Sequence, residues 1–184
     1  MKKSYLKLNI IFPLTIMFVT LSALPVSVKA SDITNENIVY LVNKERTDYG
    51  VAPLREDTDL DLAALVKSSD MINRNYFEHY AYGLTPWDFM LSYNYNYLFA
   101  GENLAMNFQT AEGVVNAWMK SPSHRANILN PDYQDLGIGV ITGDFTTSNG
   151  THQTKMVTEL LGRRKSVITN TFDSIFSTFR IFSR

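Results

Sequence analysis

The chain contains no cysteine among its 184 residues. This absence excludes disulfide bonds, thiolate metal sites and a cysteine nucleophile. Three other patterns are also missing from the sequence: the phosphate-binding P-loop, the dinucleotide fingerprint and the H-E-x-x-H zinc helix. The fold must therefore be held together by packing, for which 45% hydrophobic and 12% aromatic residues are ample.

The first thirty residues have the features of a secretory signal peptide. Three lysines precede an almost wholly apolar run over 8–21, and V-K-A at 28–30 offers small residues for cleavage. The alternative is a membrane anchor, because the run approaches the length of a transmembrane span. The A-x-A-like end favours cleavage after Ala30. We therefore expect a mature protein of residues 31–184 that is secreted and can remain associated with the cell envelope.

Charge is unevenly distributed along the mature chain. Residues 31–162 carry eight basic against seventeen acidic side chains, a net charge of −9, whereas residues 163–184 carry five against one, a net charge of +4. An acidic body argues against nucleic acid as a partner. The opposite charge of residues 163–184 indicates that this basic segment has a role separate from that of the body.

Four short motifs follow one another in the chain. They are F-x-H at Phe77 and His79, G-E-N over 101–103, W-M-K-S-P-S-H-R-A-N-I-L-N-P over 118–131 and G-I-G over 137–139. In this order they resemble the CAP superfamily, also called the SCP or pathogenesis-related 1 family, and above all its short secreted bacterial branch. The lack of cysteine agrees with that branch, since eukaryotic members are often disulfide-linked.

The resemblance implies an α+β fold, a three-layer α-β-α sandwich of the CAP/SCP type. The resemblance covers a CAP/SCP domain over 33–162, while the composition sets apart a signal peptide over 1–30 and a basic amphipathic tail over 163–184.

The helix signals agree with this fold. Thr34 is placed to cap a first helix that ends near Gly50, and Thr85 precedes a proline that starts a third helix. A further helix is predicted from Ala111 to Lys120 behind Thr110, and Pro122 stops it. The apolar face of the second helix is formed by Leu60, Ala63, Ala64 and Met71.

The strand signals are weaker. Residues 136–141 and 153–161 are predicted strands, and 143–150 has the composition of a long hairpin loop. The alternating aromatic segment over 93–99 is either a strand with one buried face or a tyrosine-lined wall beside His79, with plain packing the better interpretation. Arg46 is interpreted as a helix-end ion pair in preference to a ligand contact.

The resemblance also implies a cleft made by His79, His124 and Glu102. Two imidazoles and a carboxylate are suitable ligands for Zn²⁺ or a similar divalent ion, and the carboxylate can instead orient an imidazole. The family's second acid falls at Ser121 in this sequence, so the predicted site has three members. Two structural alternatives stay open. The histidines can be hydrogen-bonded structural residues, and Glu102 can cap the helix that begins at Ala111.

The function expected from these residues is extracellular binding of a divalent metal, with a lipid or cell-envelope ligand implied by the resemblance. The alternative is a metal-assisted hydrolase acting on peptides or cell-wall material. A serine nucleophile at Ser121 or Ser123 is disfavoured, because the chain has no G-x-S-x-G elbow and both serines suit a helix junction. Which residues would be catalytic is left open.

The C-terminal segment predicts an amphipathic helix over 167–182, with apolar residues at helical spacing and basic residues at its ends. Such a helix suits an anionic membrane surface or a cell-wall polymer. A helix docked on the domain, or a disordered end, is the alternative.

Overall fold

The computed structural model of the protein describes residues 30–166. The signal peptide expected over 1–30, apart from its last residue, and the tail helix expected over 167–182 lie outside these residues. Within residues 30–166, no helix is both long enough and apolar enough to cross a bilayer.

Five helices and four strands make up the described part of the chain. The helices are α1 (Asn35–Asp48), α2 (Thr58–Asn73), α3 (Pro86–Ser92), α4 (Ala111–Lys120) and α5 (Pro122–Ile128). The strands are β1 (Arg55–Glu56), β2 (Tyr97–Met106), β3 (Asp135–Thr147) and β4 (Gly150–Arg164).

The four strands form one sheet in the order β1-β3-β4-β2. β3 and β4 form a long antiparallel hairpin, while β2 pairs antiparallel with the other side of β4 and the short β1 pairs parallel with β3. The register places Glu102 of β2 opposite Leu160 of β4, and Asn103 opposite Glu159. The G-E-N motif therefore lies in the middle of a strand.

Alternate residues of the hairpin face two separate helical layers. Val157 and Leu161 of β4 pack in a core with α1, α4 and α5, whereas Leu160 between them packs with α2 and α3. Trp118 of α4 is buried in the first core and donates its indole N–H to the carbonyl of Leu104 at 3.0 Å. The predicted three-layer α-β-α sandwich is confirmed.

The G-I-G motif of β3 lets α2 lie unusually close to the sheet. A Cβ atom added at Gly137 would overlap the backbone at Leu60, and one added at Gly139 would overlap the backbone at Ala64. Both glycines face α2, while Ile138 between them faces the other core. The motif is thus explained by helix–sheet packing.

The predicted helix starts are confirmed. The Thr34 side chain caps α1, and the Thr110 hydroxyl accepts the N–H of Gly113 at 3.1 Å to cap α4. Thr85 and Asp88 form a reciprocal capping box on α3, with proline in its first turn. The predicted apolar face of α2 is buried in the core.

The predicted loop over 143–150 is wrong. Both strands continue through it and leave only residues 148–149 as a turn. Phe145 is buried, and the hydroxyls of Thr146 and Thr151 lie 2.8 Å apart across the strands. Cross-strand pairing therefore outweighs a turn-like composition.

The predicted ion pair at Arg46 is also wrong. The side chain is 1% exposed, and its guanidinium donates to the carbonyl oxygens of Ala52 at 2.7 Å, Ile128 at 2.6 Å and Asn130 at 2.9 Å. A guanidinium carries several N–H donors in a planar fork, so it can satisfy several carbonyls at once. Arg46 therefore fastens α1 to the loop that follows α5.

The aromatic segment over 93–99 is a strand only in its last part, since β2 begins at Tyr97. Tyr95 is fully buried, and its hydroxyl donates to Asp135 Oδ2 at 2.8 Å. Packing is the main role of this segment, as the sequence favoured.

Candidate functional site

The site is centred on the pair formed by Glu102 and His79. The Glu102 side chain in β2 is 2% exposed, whereas His79, in the loop between α2 and α3, is 46% exposed. Glu102 Oε1 lies 2.6 Å from His79 Nδ1. With Glu102 ionised, Nδ1–H donates to the carboxylate, and Nε2 is left as the nitrogen that can bind an ion or a ligand.

The electrostatic state of Glu102 reflects its burial. Burial raises the pKa of the Glu102 carboxyl, while the hydrogen bond from His79 and the charge of Lys67 act in the opposite direction. Its second oxygen, Oε2, is buried and has no hydrogen-bond partner within residues 30–166. The alternative that Glu102 caps α4 is wrong, because Thr110 fills that position.

Lys67 is a member of the site that sequence reasoning missed. Its side chain is fully buried in α2, and Nζ donates to the carbonyls of Glu78 at 3.0 Å and His79 at 3.2 Å. Burial lowers the pKa of Lys67, and the charge of Glu102 opposes that shift. Lys67 thus holds the backbone that carries His79 and places a positive charge near Glu102.

A signal for Lys67 is present in the sequence. It occupies the apolar stripe of α2, one turn after Ala63 and Ala64 and one turn before Met71. A lysine in a buried stripe needs polar partners, which here are loop carbonyls and the Tyr76 hydroxyl at 3.2 Å.

His124 lies in α5, which is joined to β2 by hydrogen bonds from Asn103 and Asn127. It is partly buried, and burial lowers the pKa of its imidazole, with a further lowering from the charge of His79. The structure brings His79 and Glu102 into direct contact and places His124 within electrostatic reach of them.

Two asparagines join the elements that carry these side chains. Asn103 Nδ2 donates to the His124 carbonyl at 3.2 Å and to Glu159 Oε2 at 2.6 Å. Asn127 Nδ2 donates to the Glu102 carbonyl at 3.0 Å and to Asn103 Oδ1 at 2.9 Å. Both amides are structural, and they tie α5 to β2.

Glu159 is a second buried acid that sequence reasoning missed. It is 0% exposed in β4, and its Oε1 has no hydrogen-bond partner within the described residues. Burial raises the pKa of Glu159 to about 7, while the hydrogen bond from Asn103 and the charge of Arg46 act against this. Glu159 therefore lies beneath the cleft as part of its support, facing away from solvent.

The side chains that the structure describes offer few donors for the predicted metal ion. In the part of the chain that the structure describes, no group of three or more His, Cys, Asp or Glu side chains is arranged to hold a metal ion. One oxygen of Glu102 contacts His79 Nδ1, on the side of the ring away from Nε2. Glu102 therefore suits the role of orienting the imidazole better than that of a further ligand. The residues fit a site with two imidazole donors and an orienting carboxylate.

The remaining polar candidates lie apart from this pair. The hydroxyls of Ser121 and Ser123 lie 3.3 Å from each other at the junction of α4 and α5. His152 lies exposed in β4, with Nε2 3.3 Å from Asn107 Oδ1.

The sequence profile of the CAP, or cysteine-rich secretory protein, family matches residues 39–156. The chain belongs to the CAP family. Among related sequences, it is 43% identical to Bacillus subtilis YkwD over 124 residues, which is 66% of this chain and 47% of YkwD. It is 34% identical to the Bacillus subtilis membrane protein YlbC over 114 residues, 61% of this chain and 33% of YlbC. The chain thus spans less than half the length of either relative.

Solved CAP structures agree in fold. An extracellular protein with an SCP domain from Bacillus anthracis superposes with a TM-score of 0.61 at 27% identity, covering 71% of this chain and 40% of that one. An outer surface protein of Borrelia burgdorferi superposes with a TM-score of 0.59 at 23% identity, covering 74% of this chain and 100% of that one. This chain is accordingly a CAP-domain protein of the bacterial type.

Proposed function

We propose that this CAP domain is an extracellular binding module whose cleft, formed by His79, His124 and Glu102, binds a divalent metal, with Zn²⁺ the first candidate. The observation that carries the proposal is the 2.6 Å contact between His79 Nδ1 and Glu102 Oε1. Metal-ligating histidines commonly donate their other ring N–H to a carboxylate, which fixes the tautomer and the ring orientation.

The imidazoles are the metal donors in this proposal. His79 offers Nε2 at a partly exposed position, and His124 lies within reach of its charge. Glu102 orients the His79 ring through its contact with Nδ1, and Lys67 holds the loop that carries His79. A site with two protein donors leaves further positions for water or for a ligand, which suits binding of an envelope lipid or polymer through the ion.

Binding is favoured over metal-assisted hydrolysis by the position of the carboxylate. A hydrolase of that class needs a general base that faces the substrate water. Glu102 is buried and already engaged by His79, so it is poorly placed for that role. The extracellular location is supported by the predicted signal peptide and by the extracellular description of the Bacillus anthracis structure.

Calorimetric titration of residues 31–184 with Zn²⁺ tests the proposal. His79→Ala and His124→Ala should each abolish most of the binding. Glu102→Gln should weaken it by roughly 10- to 100-fold, the usual effect of losing a carboxylate behind a ligating histidine. His152→Ala is the matched control, because His152 lies on the hairpin with Asn107. Loss of binding in the control, or its retention in both cleft variants, would refute the site.

The same titration has a pH signature. Imidazole must be neutral to coordinate, so affinity should fall as the pH drops through about 6.5. Because burial lowers the pKa of His124, this imidazole stays neutral to a lower pH than an ordinary histidine does. Ser121→Glu should strengthen binding by returning the acid that other members of the superfamily carry. Equal affinity at pH 5 and pH 8 would exclude histidine ligation.

A further inference from the structure

Helix α2 has a second apolar face that the described residues leave partly exposed. Its inner face is buried in the sandwich, yet Leu62, Leu65 and Val66 remain 42%, 38% and 37% exposed. Their spacing puts them on one outward stripe of the helix. A surface helix of a globular protein normally turns charged or polar residues to this side.

Depressions lie on both sides of the stripe. One, of about 270 Å³, is lined by Val66, Leu84, Phe89 and Tyr93 together with two polar residues of α3. The other, of about 400 Å³, lies between Leu62 and Leu65 and the start of α1. The exposed stripe is therefore shaped to receive large side chains.

The described chain ends beside the first turn of this helix. β4 runs to Arg164, two residues past the domain boundary that the sequence predicts at 162. The Arg164 guanidinium donates to Asp57 at 2.9 Å and to Asp59 at 2.6 Å, and the Lys165 N–H donates to the Asn96 carbonyl at 2.8 Å. Asp57 is the N-cap of α2, so the described chain ends next to the N-terminus of α2.

The segment that follows has a complementary sequence. It comprises eighteen residues, 167–184, which would span about 27 Å as a helix, against about 24 Å for the sixteen residues of α2. Its apolar residues at helical spacing are Ile168, Phe172, Ile175, Phe176, Phe179 and Phe182. Residues 167–184 carry two arginines against one aspartate, a net charge of +1, which is opposite in sign to the net charge of −9 on residues 31–162.

We propose that residues 167–184 dock as an amphipathic helix along the outward stripe of α2 in the same molecule, with phenylalanines filling the two depressions. Arg164 anchors the start of the segment on Asp57 and Asp59. The segment then runs alongside α2 from its first turn, which brings Phe172 level with residues 62–66. This docking is independent of the metal site.

The absence of cysteine allows a direct test by disulfide trapping in residues 31–184. The pair Leu65→Cys with Phe172→Cys leaves the other three phenylalanines of the segment in place. Asn116→Cys with Phe172→Cys is the matched control, since Asn116 is exposed on α4 in the opposite helical layer. Under mild oxidation the Leu65 pair should form an intramolecular disulfide at least about tenfold faster, because docking raises the effective concentration of the two thiols.

Two outcomes would overturn the proposal. Equal trapping of both pairs, or none with either, would mean that the segment does not rest on α2. A disulfide that appears only between two molecules would assign the stripe to a second copy of the chain.

A vesicle experiment separates docking from membrane binding. Residues 31–184 and 31–166 are compared on phosphatidylglycerol vesicles and on phosphatidylcholine vesicles. Truncation after 166 is used because it keeps Arg164 and its ion pairs. Docking predicts that phosphatidylglycerol vesicles leave trapping of the Leu65 pair unchanged. Binding of the longer protein alone, with loss of trapping on the vesicles, would make the membrane the preferred partner and overturn the proposal.

Discussion

A buried carboxyl group supports the cleft from below. Glu159 is fully buried, and its Oε2 accepts a hydrogen bond from Asn103, which also donates to the carbonyl of His124. Because burial raises the pKa of Glu159 to about 7, the group is protonated in the folded protein at pH values where it is ionised in the unfolded chain. Above a pH of about 7, the folded protein therefore contains a buried, ionised carboxylate at Glu159.

This gives stability a definite pH dependence. Between the ordinary pKa of 4.5 and the folded value of about 7, the folded state binds more protons, so the free energy of unfolding falls as the pH rises through this window. Between pH 4.5 and pH 8 the free energy of unfolding should fall by on the order of 3 kcal/mol because of Glu159, and Glu159→Gln should remove this fall. Urea denaturation of both proteins across this range measures it.

The quantity to compare is the difference in the free energy of unfolding between the wild type and Glu159→Gln. Burial also raises the pKa of Glu102, which gives both proteins a pH slope of the same sign. That slope is common to both and cancels. Parallel pH profiles for the wild type and the variant would show that Glu159 is already ionised in the folded protein.

At the scale of elements, the contact between α2 and β3 leaves little space for any side chain larger than that of glycine. Gly139 faces the backbone of Ala64, which belongs to a helix and cannot move independently of it. Gly143, four residues further along the same strand, faces only the Ile72 side chain. The two positions therefore differ in what an added methyl group would displace.

Gly139→Ala should destabilise the fold by about 3 kcal/mol or more, because the helix must move away from the sheet. Gly143→Ala is the matched control and should cost much less, since a side chain can rotate. Thermal unfolding of both variants provides the measurement. Equal melting temperatures would mean that α2 adjusts freely over the sheet.

At the scale of the whole molecule, Arg46 joins segments more than eighty residues apart. It binds carbonyls in the turn after α1 and in the loop after α5, so it closes the layer that carries His124. Arg46→Met would keep much of the apolar stem but leave three carbonyls without a donor. Each orphaned carbonyl costs roughly 1 kcal/mol or more when buried.

We therefore expect Arg46→Met to lower the free energy of unfolding by about 3 kcal/mol and to weaken Zn²⁺ binding through displacement of α5. Lys44→Met on the same helix is the control, because Lys44 pairs with Asp48 at the surface. It should leave both the urea midpoint and the metal titration unchanged. An Arg46 variant as stable as this control would contradict the proposed closure.

The prediction from sequence succeeded where short segments carry their own signal. Thr34, Thr85 and Thr110 identify three helix starts because a cap is satisfied within one turn of chain. Phe145 shows the limit of such signals, since its segment has the composition of a loop and yet pairs across a hairpin.

The sequence by itself determined the family and the α-β-α layers, because the motifs that contain His79, Glu102 and His124 are contiguous runs of characteristic letters. Only the tertiary structure decided what supports these residues. Lys67, Arg46 and Glu159 find their partners at the loop of His79, the loop after α5 and the adjacent strand β2. Their states depend on burial and on charges brought close by folding, which the spacing of residues along the chain does not encode.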